Sequence, residues 1–490
     1  MKTNTLDFDA QALREKILDL AMRGKLVPQD PNDEPASVLL EKIKAEKEQL
    51  IKEKKIKKSK PLAPITDEEK PFDIPDSWEW VRLGDVSEIV MGQSPKGSTV
   101  NQNNEGIEFH QGKTEFTEKI IGKSEKYTTT LNKVIDSDYI VMAVRAPVGD
   151  VNLLDRKIAI GRGLAGIDSY LNDKEYIYYY LNGIKDYYDQ RATGSTFKAI
   201  NGAIIKDTPV PLPPLLEQSR IAAKIAQLFA LLRKVESSTQ QYAKLQTLLK
   251  SKVLDLAMRG KLVEQDPHDE PASVLLERIK TEKEQLVKKG KIRKSKSLPP
   301  ITEDEKLFNL PQGWTWVKLN DVLALENGAI RRGPFGSSLK KSFFVPKSED
   351  TYKVYEQGNA INHTINYGSY YISSQKYEEL QSFSIRPGDI IISGAGTIGK
   401  TYILPSNSPK GVINQALIRV RLNEQLISKE YFLFAFKQKV GLINKQAKGT
   451  AIKNMFSVTH MKNDLVWALP PLAEQKRITK KIQNILSFVK

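Results

Sequence analysis

The chain has 490 residues, no cysteine and a formal net charge of +16. That length suits two to four domains, each able to form its own core. The composition excludes disulfides and thiolate zinc sites, and the charge points to a polyanionic partner, most simply nucleic acid.

Several readings narrow the classes further. No apolar run is long enough to span a membrane. The start, Met1-Lys2-Thr3-Asn4-Thr5-Leu6-Asp7, has no signal-peptide core, so the cytoplasm is the expected location. His110, His268, His363 and His460 show no metal-ligand spacing and read as folded surface residues. Part of the positive excess lies in Lys52 to Lys60 and Lys288 to Lys296, runs that also read as solvated segments.

In chain order, a helix ends at Gly24, and a polar loop follows from Gln29 to Pro35. A charged helix runs from Ala36 to about Lys55, with Leu39, Leu40, Ile43, Leu50 and Ile51 on one side. The proline-bearing stretch from Ser59 to Pro75 reads as extended. Trp78 and Trp80 alternate with polar residues, as in a strand entering a domain. An α/β insert follows, from about Ser87 to Val210. In it, 138–143 reads as a buried strand with a glycine turn at Gly149, and 175–189 reads as a helix.

After Pro213-Pro214 comes a long helix. Ile221, Ile225, Leu228, Leu232, Val235, Tyr242, Leu249, Val253 and Leu256 form a heptad seam, with Thr239 and Gln246 at its two remaining positions. Lys224, Gln227, Arg233, Glu236, Gln240 and Lys244 keep its other faces polar. A helix of about 45 residues spans on the order of 65 Å.

Residues 17–86 then recur without a gap as 253–322, and 49 of the 70 aligned positions are identical. This is an internal duplication. The second insert, about Leu323 to Trp467, barely resembles the first but shows the same plan. It has a strand at 389–393, a glycine turn at Gly399 and a helix at 429–445. Pro470-Pro471-Leu472-Ala473-Glu474-Gln475 repeats Pro213-Pro214-Leu215-Leu216-Glu217-Gln218. Ile478, Ile482, Ile485 and Val489 match the first part of the seam, and Leu13, Ile17 and Leu20 match its last part. The two ends of the chain together therefore rebuild one more copy of the long helix, expected to pack antiparallel on the first. Like frames with unlike inserts imply equivalent docking surfaces for one kind of partner and two different recognition tasks.

Taken together, the chain resembles the DNA-specificity subunits of Type I restriction–modification systems. The resemblance covers nearly the whole chain. It rests on the two Pro-Pro-Leu-x-Glu-Gln-x-x-Ile helix starts and the duplicated Leu-Ala-Met-Arg-Gly-Lys-Leu-Val block. It rests also on Gly92-Gln93-Ser94-Pro95, Ile160-Gly161-Arg162-Gly163, Gly194-Ser195-Thr196-Phe197-Lys198 and the run Arg332 to Lys340. It implies a mixed α/β fold with two target-recognition domains joined by long antiparallel coiled-coil helices in a pseudo-two-fold, cyclic repeat. The segments are a split helix half (1–24), a charged helix and linker (25–77), the first recognition domain (78–212) and the central helix (213–260). A second charged helix and linker (261–313), the second recognition domain (314–469) and a helix stub (470–490) follow.

The implied partners are double-stranded DNA with a bipartite site, two modification (methyltransferase) subunits, and restriction (endonuclease/translocase) subunits. DNA modification and ATP-dependent cleavage in host defence belong to those subunits. This chain is expected to be non-catalytic, with no cofactor and no metal. It carries no Asn-Pro-Pro-aromatic or Asp-Pro-Pro-aromatic methyltransferase signature and no convincing nuclease set.

Arg, Lys and small polar residues on glycine turns are the expected DNA contacts. They are Gln93, Ser94, Lys96, Arg145, Arg162, Ser195 and Lys198 in the first insert. In the second they are Arg331, Arg332, Ser337, Ser338, Lys340, Lys400, Thr450 and Lys453. Phe197 and Phe335 read as core packing. Residues 394–401 fit the phosphate-loop pattern G-x-x-x-x-G-K-[ST], which leaves a nucleotide hydrolase as an alternative. The β-like run and two prolines that follow, Pro405 and Pro409, oppose the helix such a loop needs and favour a tight turn between strands. A coiled-coil scaffold without a nucleic-acid role is the other alternative.

Overall fold

A computed structural model describes residues 9–194, 198–294, 298–446 and 457–489. The chain divides into two compact units, Met1–Gln240 and Gln241–Lys490.

In the first unit, the helix Ala10–Met22 opens on Asp9, whose side chain accepts from the Ala12 amide. The chain turns at Gly24 with φ +66°, where an added Cβ would lie 2.5 Å from Pro75 Cγ, so glycine is required twice over. The charged helix runs Ala36–Lys52 and ends short of Lys55, because Lys54 turns left-handed at φ 60°. Leu39 and Ile43 bury its inner face.

Strand Glu79–Arg82 pairs antiparallel with Pro209–Leu212, so the chain enters and leaves the α/β head side by side. Within the head, an antiparallel sheet runs in the order Glu88–Met91, Leu164–Asp168, Tyr139–Ala143, Val151–Leu153. A second sheet sets Ile107–His110 parallel to Ile158–Ile160, with shorter strands around them. The helix expected at 175–189 forms as two, Lys174–Gly183 and Lys185–Arg191, because the backbone at Ile184 leaves the helical region. Buried Tyr176 and Tyr180 donate to the carbonyls of Pro211 and Pro209, tying the first of these helices to the closing strand.

The second unit repeats this topology. Thr315–Lys318 pairs with Val466–Leu469. Its antiparallel sheet runs Ile330–Arg332, Leu417–Val420, Ile390–Ser393, Thr401–Ile403. Its other sheet again has one parallel pair, Thr351–Tyr355 with Gly411–Ile413. The shared plan expected of the two inserts is therefore present in the four-stranded antiparallel sheet and the parallel pair, although the sequences have diverged and the other sheet has five strands in the first head and four in the second.

The long helix is Leu215–Met258, 44 residues, and the C-terminal helix is Leu472–Ser487. One buried polar node starts both. Glu217 accepts from Trp78 Nε1 at 3.0 Å and Gln29 Nε2 at 2.5 Å, and Glu474 accepts from Trp314 at 2.9 Å and Gln265 at 3.1 Å. Gln218 and Gln475 each donate 3.0 Å to the carbonyl of the first proline of their turn, Pro213 or Pro470. Arg220 clasps Asp33, and Arg477 clasps Asp269, through both terminal nitrogens. The repeated Pro-Pro-Leu-x-Glu-Gln-x-Arg motif is the record of this node: its buried polar groups need named partners.

In the first unit Arg14 bonds Glu236 at 2.6 Å while Gln29 bonds Glu217, so the amino-terminal helix lies antiparallel to the long one. The seam is buried at Ile221, Ile225 and Val253 and exposed at Val235, Tyr242 and Leu249. Among the described residues, the helices that share cores with its ends have 13 and 16 residues and cover those ends.

Candidate nucleic-acid interface

In the first head, the ends of several strands are stitched into one loop cluster by backbone hydrogen bonds. The Gly92 amide donates to the Leu164 carbonyl at 2.9 Å, and the Gln93 amide to Ile160 at 3.0 Å. Gly161 donates to His110 at 2.8 Å, Gly163 to Gln111 at 3.1 Å, and Val144 to Gly163 at 2.9 Å. A Cβ on Gly92 would lie 2.2 Å from the Gly161 carbonyl oxygen, so this crossing admits only glycine. Gln93, Ser94, Arg145 and Arg162 meet here, and all but the half-buried Ser94 are exposed. Lys96 is exposed at the edge, on the segment that continues from Ser94. Lys198 joins the cluster through its carbonyl, which accepts from Ala146, while its ammonium is occupied by Asp189 at 3.1 Å. Ser195 and Phe197 lie outside the described residues.

The second head builds the same crossing from other residues. Gly333 donates to Leu417 at 3.0 Å, and Gly394 to Ala416 at 2.7 Å. A Cβ on Gly333 would lie 2.0 Å from the Asn414 oxygen. Arg332 spans this cluster, donating to the Gln415 carbonyl at 3.0 Å and the Gly394 carbonyl at 3.1 Å. Lys400 belongs to it too, its amide bonded to Ser393 Oγ at 2.9 Å and its side chain exposed. Ser337, Ser338 and Lys340 are exposed on the segment that leaves Gly333. Arg331 does not join Arg332. Neighbouring strand residues face opposite sides, and Arg331 sits over the Phe383 ring at 5.4 Å. Thr450 and Lys453 lie outside the described residues.

Two expectations change, and one is met. Phe335 is 61% exposed with Arg332 stacked on it at 5.2 Å, so it is not core packing: the chain leaves the tight Gly333 crossing outward and carries the ring with it. His110 is not a surface residue. It is fully buried, with Nε2 2.8 Å from Glu108, because its strand is an inner one of its sheet. Residues 394–401 form the link between strands Ile390–Ser393 and Thr401–Ile403, which pair antiparallel. No helix follows to present its amino terminus to a phosphate, so this is the strand-to-strand turn that Pro405 and Pro409 favour.

Beneath the first cluster, burial would raise the Glu108 carboxyl, but two Arg156 hydrogen bonds at 2.7 Å, the Ser124 amide and His110 outweigh it and bring it down to about 2. Among the described residues, Lys96, Arg145, Arg162, Lys340 and Lys400 form no ion pair and remain free cations. No group of His, Asp and Glu suited to a metal ion occurs among the described residues. No described helix is long and apolar enough to cross a membrane.

Reasoning from sequence missed Gln111 and the Asn414-Gln415 turn. Gln111 accepts 3.0 Å from Ser94 Oγ, in the middle of the first cluster. Its available signal was a Gln-Gly pair straight after a strand, which recurs near the equivalent strand as Gln357-Gly358.

The family model for the Type I restriction modification DNA specificity domain matches twice, over residues 75–246 and 311–489. The chain is 32% identical to the Type I restriction enzyme EcoEI specificity subunit of Escherichia coli, over 97% of this chain and 89% of the relative. It is 31% identical to the EcoAI specificity subunit of the same organism, over 98% and 89%. A crystal structure of an HsdS subunit from Thermoanaerobacter tengcongensis aligns over 86% of this chain and 92% of that one, at 18% identity and a TM-score of 0.49. Two matched domains, two heads of one topology and relatives along nearly its full length place the chain in the family of Type I restriction–modification DNA-specificity subunits.

Proposed function

We propose that the heads within 78–212 and 314–469 each read one half of a bipartite site on double-stranded DNA, and that the long helix sets the gap between the halves. The helical regions dock two modification subunits, and restriction subunits join the assembled complex. Methylation and ATP-driven cleavage are carried out by those partners, and this chain supplies recognition alone. One observation carries the reading: the same glycine crossing, at Gly92 and Gly333, presents Gln93, Ser94 and Arg162 in one head and Arg332, Phe335 and Lys400 in the other. A common scaffold with different donors and acceptors is what two different base sequences demand.

The test is an exchange of residues 87–210 for the equivalent segment of another family member, followed by sequencing of methylated sites in cells that also hold the partner subunits. One half-site should change and the other should persist. A change in both halves together defeats the modular reading.

A further inference from the structure

The hydrogen-bond order around Ser94 fixes what the first head presents to a ligand. Ser94 Oγ lies 3.3 Å from the Arg162 amide nitrogen and 3.4 Å from Arg162 Nε. Both are N–H groups and can only donate, so the hydroxyl accepts from each. Its single hydrogen then goes to Gln111 Oε1, 3.0 Å away. With its oxygen held in this way, the Gln111 amide turns its NH2 outward. Among the described residues, Gln111 Nε2 and the Arg162 terminal nitrogens make no hydrogen bond, and both side chains are exposed.

The backbone leaves little room for another arrangement. A Cβ on Gly161 would lie 2.7 Å from Gln111 Oε1, and one on Gly163 would lie 2.5 Å from the Gln111 carbonyl oxygen. The turn can lie flat on Gln111 only because both positions are glycine. The outward face of this trio therefore consists of N–H donors alone. In the major groove, guanine offers two acceptors, O6 and N7, and no donor. Adenine mixes one of each, cytosine offers a donor, and thymine offers one acceptor beside a methyl group.

We propose that Gln111 and Arg162, set by Ser94, read a guanine in the half-site assigned to the first head. The inference rests on the DNA-reading function proposed above and names one base within it. The equivalent place in the second head differs. There Arg332 directs Nε and one terminal nitrogen inward to the Gln415 and Gly394 carbonyls, so it does not offer the same set of outward donors.

The experiment is selection of the full chain, with its modification subunits, on a random-sequence duplex library. The first head's half-site is identified as the one altered by exchanging 87–210. The wild-type protein should hold a guanine at one position of that half. Gln111→Glu replaces donors with acceptors and should lower that guanine preference on the order of ten- to a hundredfold. Ser94→Ala frees the amide to rotate and should admit adenine there, leaving the other half-site unchanged. Circular dichroism checks the fold, and Arg162→Gln serves as the donor-poor variant should Gln111→Glu unfold. Unchanged base frequencies in the folded variants, or no guanine in that half, overturn this inference while the general reading stands. A wild-type protein that selects no bipartite site overturns the general reading instead.

Discussion

Glu108 is one carboxylate holding several neighbours beneath the first loop cluster: Arg156, the Ser124 amide and His110. Its folded value near 2 lies below the ordinary 4.5, so its stabilisation is present above about pH 4.5 and is lost as pH falls toward 2. Glu108→Gln should cost roughly 2 kcal/mol at neutral pH and flatten the fall of the melting temperature between pH 4.5 and 2. An acid transition as steep in the variant as in the wild type would remove Glu108 from this role. A second residue prediction uses the duplication. Trp78→Phe and Trp314→Phe each take one N–H from a buried carboxylate, Glu217 or Glu474, and should each cost about 1–2 kcal/mol. Unequal losses, read as separate thermal transitions, would mean that the two nodes are not equivalent. At this scale the sequence was partly legible. Glycine turns mark the loops that carry Ser94, Arg162 and Lys400, because the close backbone crossings at Gly92 and Gly333 leave no room for a Cβ. Gln111 and buried His110 were not legible, since their roles depend on strands brought together from distant parts of the chain, as when Phe109 pairs with Ala159.

Elements were easier to read than sites because their signals are local. The long helix, its Pro-Pro start and the glycine stops follow from periodicity and backbone preference alone. The split at Ile184 was not legible, because the aromatic run Tyr176 to Tyr180 reads as continuous helix while its tyrosines are recruited by the closing strand. The extent of the exposed seam was also hidden. Tyr242 and Leu249 hold seam positions by spacing, but whether they are covered depends on how far the shorter helices reach. This element carries its own prediction. Inserting seven residues between Thr239 and Gln246 adds about 10 Å while nearly preserving the helix face. If the helix is the ruler, the gap between half-sites should grow by about three base pairs at 3.4 Å each. The bases within each half should stay the same, as read by methylated-site sequencing. An unchanged gap would remove the helix from that task.

For the whole molecule, the net charge of +16 is informative only once its useful part is located. Many of the basic residues are paired: Lys198 with Asp189, Arg220 with Asp33, Arg477 with Asp269. Lys340 and Lys400, in contrast, are exposed, form no ion pair among the described residues, and flank the second loop cluster. Each phosphate neutralised by such a side chain releases counterions and adds about 0.9 to the slope of log affinity against log salt. Replacing Lys340 and Lys400 together by Ala should lower that slope by about two, weaken binding at low salt, and leave the selected sequence unaltered. Lys198→Ala removes a cation that Asp189 already balances and should change the slope by much less. Salt titration of the assembled complex on a single duplex separates the two cases. If the double substitution leaves the slope intact and Lys198→Ala lowers it, the phosphate backbone runs past the first head's edge and not past this second cluster. The free cations beside Gly333 and Gly394 would then have no part in holding the duplex.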